Sequence, residues 1–165
     1  MNDHIYTRLK VSETHGVKLC LFDEEGAELY DRYTWCVDKH GNTFYLRRYI
    51  TVDGKQTSIK FHRELLGLED SKLIGEHSNG NGLDNRLCNI RPSTQQENNW
   101  NKVIPSNNTS GVKGVSWNKQ KNAWTAQVAY NGKQYYLGSF DDITEAEKVV
   151  RAKREELHGE FCNHG

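Results

Sequence analysis

Glu76 and His77 stand side by side at the head of "GEHSNGNGLDNRLCNIRPSTQQENN", Gly75 to Asn99, a segment otherwise dominated by Asn and Gly. A carboxylate is a hard oxygen ligand and an imidazole changes charge near neutrality, so the pair can hold a cation and accept a proton at one place. The surrounding pattern reads as strand, loop, strand, helix. "KLIGEH" is a short strand ending at the pair, "SNGNGLDNR" is a loop with Gly and Asn where positive φ is needed, and "NIRP" resumes an extended path. Thr94 with Glu97 three residues later forms a capping box that opens the helix "QQENNWNK". Asn98 then falls in the first turn, where its amide is expected to face back toward the end of the first strand. Glu76 and Asn98 make an oxygen-only pair suited to one Mg²⁺ or Mn²⁺ rather than zinc, and His77 beside them is placed to take a proton from water.

The elements that must position this group belong to a chain of 165 residues, 35% hydrophobic, with no net charge. That length accommodates one medium domain or two small ones with thin cores. Cys20, Cys36, Cys88 and Cys162 show no CxxC pairing and the N-terminus lacks an apolar stretch, which predicts a reduced, cytoplasmic protein without a disulfide framework or zinc ribbon. No run approaches the roughly 20 apolar residues of a membrane span. The neutral total hides an uneven distribution. Residues 103–139 hold Lys113, Lys119, Lys121 and Lys133 and no acid, whereas residues 140–165 hold seven acids against four bases.

Breaks in pattern predict the organisation. Residues 1–60 form a β-rich region, with "VKLCLF", "TFYLRRYI" and "TSIKF" separated by the turn signals Glu25-Gly26, His40-Gly41-Asn42 and Asp53-Gly54. Asp23-Glu24-Glu25 reads as an acidic turn. A short helix follows around Arg63 to Leu68, inside a second module at 61–102. "VIPSNNTS", residues 103–110, is a linker interrupted by Pro105. In the module at 111–162, Trp124, Ala126, Val128 and Tyr130 alternate with more polar neighbours, and Asn131-Gly132 supplies a hairpin turn. Thr144 with Glu147 is a second capping box, and Ala146, Val149, Val150 and Leu157 form a stripe able to cover an apolar sheet face. His158, Cys162 and His164 are better read as a polar tail than as a metal knot.

The stretch from Glu76 to Asn98 resembles the HNH endonucleases with their ββα-metal fold, especially the phage homing branch. Glu76-His77, Asp84-Asn85, Asn89-Ile90-Arg91 and Asn98 match the family pattern in order and spacing, and "FHRELLGL" looks like its lead-in. The resemblance implies His77 as general base, Glu76 and Asn98 as metal ligands, and Asn89 as the residue that ties the loop and orients the histidine. A Glu stands where the family commonly has Asp.

Residues 111–161 resemble the Apetala-type DNA-binding domain of plant ethylene-response factors, also found at the C-terminus of phage HNH endonucleases. The resemblance rests on Gly111-Val112-Lys113-Gly114-Val115, Trp124 with Ala126, Tyr136-Leu137-Gly138-Ser139-Phe140 and the closing "LHGEF". It implies a sheet that enters the major groove, with Lys113, Ser116, Thr125, Gln127, Gln134 and Tyr136 at the DNA and Trp117, Lys119, Lys121 and Lys133 nearby; Arg91 is taken as a further DNA contact.

The expected fold is therefore α+β: a ββα-metal module with a β-rich N-terminal extension, plus a three-stranded antiparallel sheet packed on one helix. The expected function is a metal-dependent, site-selective endonuclease acting on double-stranded DNA, a monomer working in the host cytoplasm. The alternative is a DNA-binding regulator that no longer cleaves.

Overall fold

The computed structural model describes residues 4–165, and the chain divides between Gln95 and Gln96 into two compact units. In the first unit, β1 (Tyr6–Ser12) and β2 (Gly16–Phe22) form an antiparallel hairpin, and α1 (Glu24–Arg32) follows. The helix forms because Asp23 is an N-cap whose carboxylate accepts from the Gly26 N–H at 3.2 Å, while Glu24 and Glu25 favour the positive end of the dipole. The acidic turn expected here is thus a helix start, and Glu25-Gly26 does not turn the chain. A second sheet, β3 (Cys36–His40), β4 (Thr43–Val52) and β5 (Lys55–Lys60), is antiparallel throughout. Its β4–β5 turn places Asp53 and Gly54 at φ 49° and 74°, the signature of a two-residue turn with both centres left-handed.

The core of this unit joins Cys20, Phe22, Ala27, Trp35, Leu46, Phe61 and Leu83. Phe61, buried between the rings of Trp35 and Phe22, begins α2 (Phe61–Leu65), two residues earlier than the sequence suggests. Arg63 then donates to the carbonyls of Leu68, Asp70 and Leu73, fixing the turn that leads into β6 (Ile74–His77), which pairs antiparallel with β7 (Ile90–Ser93). The short α3 (Gln95–Trp100) starts at the division between the units.

The second unit carries β8 (Val115–Asn118), β9 (Ala123–Tyr130) and β10 (Lys133–Phe140) in one antiparallel sheet, followed by α4 (Ile143–His158). Asn131 and Gly132, at φ 50° and 72°, close the β9–β10 hairpin as their sequence predicts. Val115, Ala126 and Val128 pack on Ala146 and Val150, with Trp124 and Leu157 beside them. Two expectations are corrected. The cap of α4 is Asp142, whose carboxylate accepts from both the N–H and the hydroxyl of Thr144, so Thr144 lies inside the helix. Val149 is exposed, and the buried stripe runs Ala146, Val150, Arg154, His158 at a spacing of four. No helix among the described residues is long and apolar enough to cross a membrane.

Candidate functional site

The β6–β7 pairing sets Glu76 opposite Arg91 and His77 opposite Ile90. Successive residues of a strand point to opposite faces, so the carboxylate and the imidazole leave β6 in different directions. Glu76 is 3% exposed and His77 6%. The Arg91 Nε donates to Glu76 Oε2 at 3.0 Å, while Oε1 is buried with no hydrogen-bond donor. Arg91, expected on DNA, is therefore first a partner of the candidate ligand.

His77 sits among aromatic groups of the same unit. Its ring lies 5.6 Å from that of Tyr45 and 4.7 Å, edge-on, from that of His62. Burial pushes the His77 imidazole below its usual range and takes His62 down to about 2, so both are neutral near pH 7. His77 Nε2 meets Asn85 Oδ1 at 3.2 Å. That contact orients the ring, and which ring nitrogen carries the proton follows from the way the Asn85 amide is turned.

The loop between the strands is a built structure. Asp84 and Asn85 are buried. Leu21 N–H donates to the Leu83 carbonyl at 2.9 Å and its carbonyl accepts from Asn85 N–H at 2.8 Å, which stitches the loop to the edge of β2. Asn89 ties it internally, donating to the Asp84 carbonyl at 2.7 Å and accepting from Asn79 N–H at 3.1 Å. Asn89 therefore bonds within the loop, and His77 Nε2 is met by Asn85. The "LDN" triplet was the only sequence signal for that role.

His62 was legible merely as part of a lead-in motif, yet it is 3% exposed and fills the space beside Gly75. A Cβ on Gly75 would stand 2.3 Å from His62 Cδ2. Gly75→Ala is expected to destabilise the first unit by about 1–3 kcal/mol through overpacking, measured by urea unfolding; an unchanged midpoint would show that His62 moves freely.

Asn98, the other expected ligand, is on α3, which groups with the second unit. Among the described residues no three His, Cys, Asp or Glu side chains gather as a metal site. Within the first unit the chemistry that fits a cation is the buried Glu76 oxygen without a donor, and magnesium is commonly held by one or two protein oxygens with waters completing its shell.

In the second unit, register sorts the residues expected at DNA. Ser116 faces Thr125, Gln127 faces Tyr136 and Ala129 faces Gln134, so these side chains share the sheet face turned away from α4. Lys121 joins them, its ammonium 3.2 Å from the Tyr136 hydroxyl. Lys119 is exposed in the β8–β9 turn. Trp117 pairs with Trp124 and meets it edge-on at 5.1 Å, and Lys133 pairs with Tyr130, which puts both on the helix side of the pleat. Trp117 and Lys133 are nevertheless exposed, whereas Lys113 does not reach outward. Its ammonium donates to the carbonyls of Trp100, Lys102 and Asn163, and burial pushes its pKa down to about 8. Lys113→Met is expected to lower the stability of this unit by about 1–3 kcal/mol and to leave the salt dependence of DNA binding unchanged. A reduced salt slope at wild-type stability would return Lys113 to the DNA.

Comparison with known proteins adds two relatives. The chain is 41% identical over 87 residues to Protein 3.8 of Escherichia phage T7, a match spanning 53% of this chain and 71% of that protein. It is 29% identical over 137 residues, 81% of this chain and 67% of the relative, to a protein of Acanthamoeba polyphaga mimivirus named an uncharacterized HNH endonuclease. No established family profile and no solved structure matches. The distant relationship suggests a nuclease.

Proposed function

We propose, for a chain that belongs to the family of Protein 3.8 of Escherichia phage T7, that it is a metal-dependent, site-selective HNH endonuclease of the homing type acting on double-stranded DNA. The observation that carries this reading is that adjacent residues of β6 supply a neutral, buried imidazole held by Asn85 and, on the other face, a buried carboxylate oxygen that has no donor. The mimivirus relative, named an HNH endonuclease, supports it.

In this reading His77 takes a proton from the attacking water, and Asn85 keeps its ring fixed. Glu76 and Asn98 would hold one Mg²⁺ or Mn²⁺, which when bound supplies Lewis-acid polarisation of the phosphate and charge stabilisation at the leaving oxygen. Arg91 limits the freedom of the Glu76 carboxylate and tempers its charge. Asn89 keeps the loop that delivers Asn85. The outward row of Ser116, Thr125, Gln127, Gln134 and Tyr136, with Lys119 and Lys121 near it, would carry the sequence-dependent contacts.

The ion pair between Glu76 and Arg91 favours one second reading, a DNA-binding regulator whose carboxylate is spent on structure. Incubation of phage DNA with the protein in magnesium or manganese, and in chelator, separates the two. Cleavage that needs the cation and disappears in Glu76→Gln supports the enzyme. Binding without cleavage in either metal establishes the regulator.

A further inference from the structure

The first unit has a polar sheet face that the proposed function leaves unused. On β4, Phe44 and Leu46 face the core, so Tyr45, Arg47 and Tyr49 point the other way. One end of that face is covered where Tyr45 meets His62 and His77, at 5.5 and 5.6 Å between rings. The other end is open: Tyr49 is 50% exposed and Ser58, opposite it on β5, is also exposed.

At the centre, Arg47 on β4 is paired directly with Lys60 on β5. Like charges directly opposite one another repel, an arrangement a free sheet does not favour. Neither cation is neutralised by a hydrogen bond. Arg8, Arg48 and Arg86 each grip a carboxylate through two nitrogens, Arg63 is bound to carbonyls and Arg91 to Glu76. Arg47 has only Asp38 at 3.6 Å, beyond hydrogen-bond length, and its Nε is buried with no acceptor. Its guanidinium lies 5.1 Å over the Tyr49 ring, and the Lys60 ammonium lies 4.8 Å over the Tyr45 ring. Among the described residues Asp38 is the one carboxylate beside these two cations, within 3.6 Å of Arg47 and acting on Lys60, so the pair on its tyrosine platforms keeps an excess positive charge that an anionic phosphodiester backbone complements.

We propose that the open face of β3–β4–β5 is a second DNA-contact surface, on which Arg47 and Lys60 hold backbone phosphates of the strand that runs to His77. Its placement beside the scissile phosphate rests on the nuclease reading, whereas the phosphate contact itself does not. Tyr45 joins the two, touching the candidate base on one side and carrying Lys60 on the other. Because a backbone track carries no sequence information, this surface adds affinity and register, and selectivity stays with the second unit.

The test is DNA binding by the full chain across a salt series, with Arg47→Gln/Lys60→Gln against wild type and against the charge-keeping Arg47→Lys/Lys60→Arg. Loss of two phosphate contacts is expected to lower the slope of log affinity against log salt by about 1.8 on duplex DNA, equally on all sequences, while the charge-keeping pair retains it. Relief of repulsion leaves the glutamine variant at least as heat-stable as wild type. An unchanged slope in that variant, a loss of slope in both variants alike, or a wild type whose DNA binding is insensitive to salt overturns the proposal. A reduced slope in a protein that never cleaves DNA upholds this surface and removes only the nuclease reading.

Discussion

His77→Ala is expected to slow DNA cleavage by about 10²–10⁴ while DNA affinity stays within about twofold of wild type. The expectation follows from where the histidine is. Its ring is buried among Tyr45, His62 and Asn85 of the first unit, whereas the outward row on β8–β10 that would carry the sequence-dependent contacts belongs to the second. Removing a proton acceptor raises the barrier to attack on phosphorus without touching those contacts. His77→Gln separates chemistry from packing, because it keeps a polar group near Asn85 and fills most of the space. Cleavage lost equally in both variants, with unfolding midpoints held in the glutamine form, identifies the base. Equal losses of affinity and cleavage would make His77 a structural or DNA-contact residue.

Asn85 gives a graded companion to that experiment. It acts through His77 rather than on substrate, so its loss leaves the base present but unoriented and costs less than removing the imidazole.

Local chemistry explains which parts of this architecture were readable. Asn131-Gly132 closes a hairpin because both residues tolerate positive φ, and no distant contact is needed to decide it. The alternation of Trp124, Ala126 and Val128 marks a half-buried strand for the same reason. The ends of β6 and β7 were likewise visible, since the Gly/Asn loop punctuates them. What failed depended on neighbours remote in sequence. Asp23 looks like a turn residue until it is seen to cap α1 and to accept from the Leu87 N–H at 2.6 Å, 64 residues away. Lys113 looks like a phosphate contact in an acid-free run, yet three carbonyls, one of them 50 residues on, take its protons. His62 carried no spacing signal because its importance is volumetric: it fills the gap beside Gly75 and the edge of His77. Arg47 and Lys60 gave none either, since 13 positions separate them and only the β4–β5 register makes them opposite.

The largest effect on stability is expected at Asp84. Its side chain is 2% exposed and accepts from Arg86 through Nε and a terminal nitrogen, both at 2.7 Å, and from Asn79 Nδ2 at 2.9 Å. Its backbone bridges to Leu21 and its carbonyl accepts from Asn89, so one residue joins the ion pair, the loop and the edge of β2. Asp84→Ala is expected to cost about 3 kcal/mol, toward the low end for breaking a buried pair because Arg86, partly exposed, can be rehydrated. Acid reports the same group. Hydrogen bonds from Arg86 hold the Asp84 carboxyl below its usual range, so the stability it contributes is complete above the unfolded value near 3.9 and is lost as pH falls through the lower folded value. Asp84→Asn keeps the shape and removes the titration. Wild type should therefore lose its advantage over Asp84→Asn below about pH 4, whereas near neutrality it should stand well above both variants. Urea unfolding of the three proteins at pH 7 and in the acid range measures this. Parallel stability curves for wild type and Asp84→Asn across that range would show that Asp84 titrates alike in folded and unfolded chains, and the loop would have to owe its order to Asn89 and the β2 edge alone.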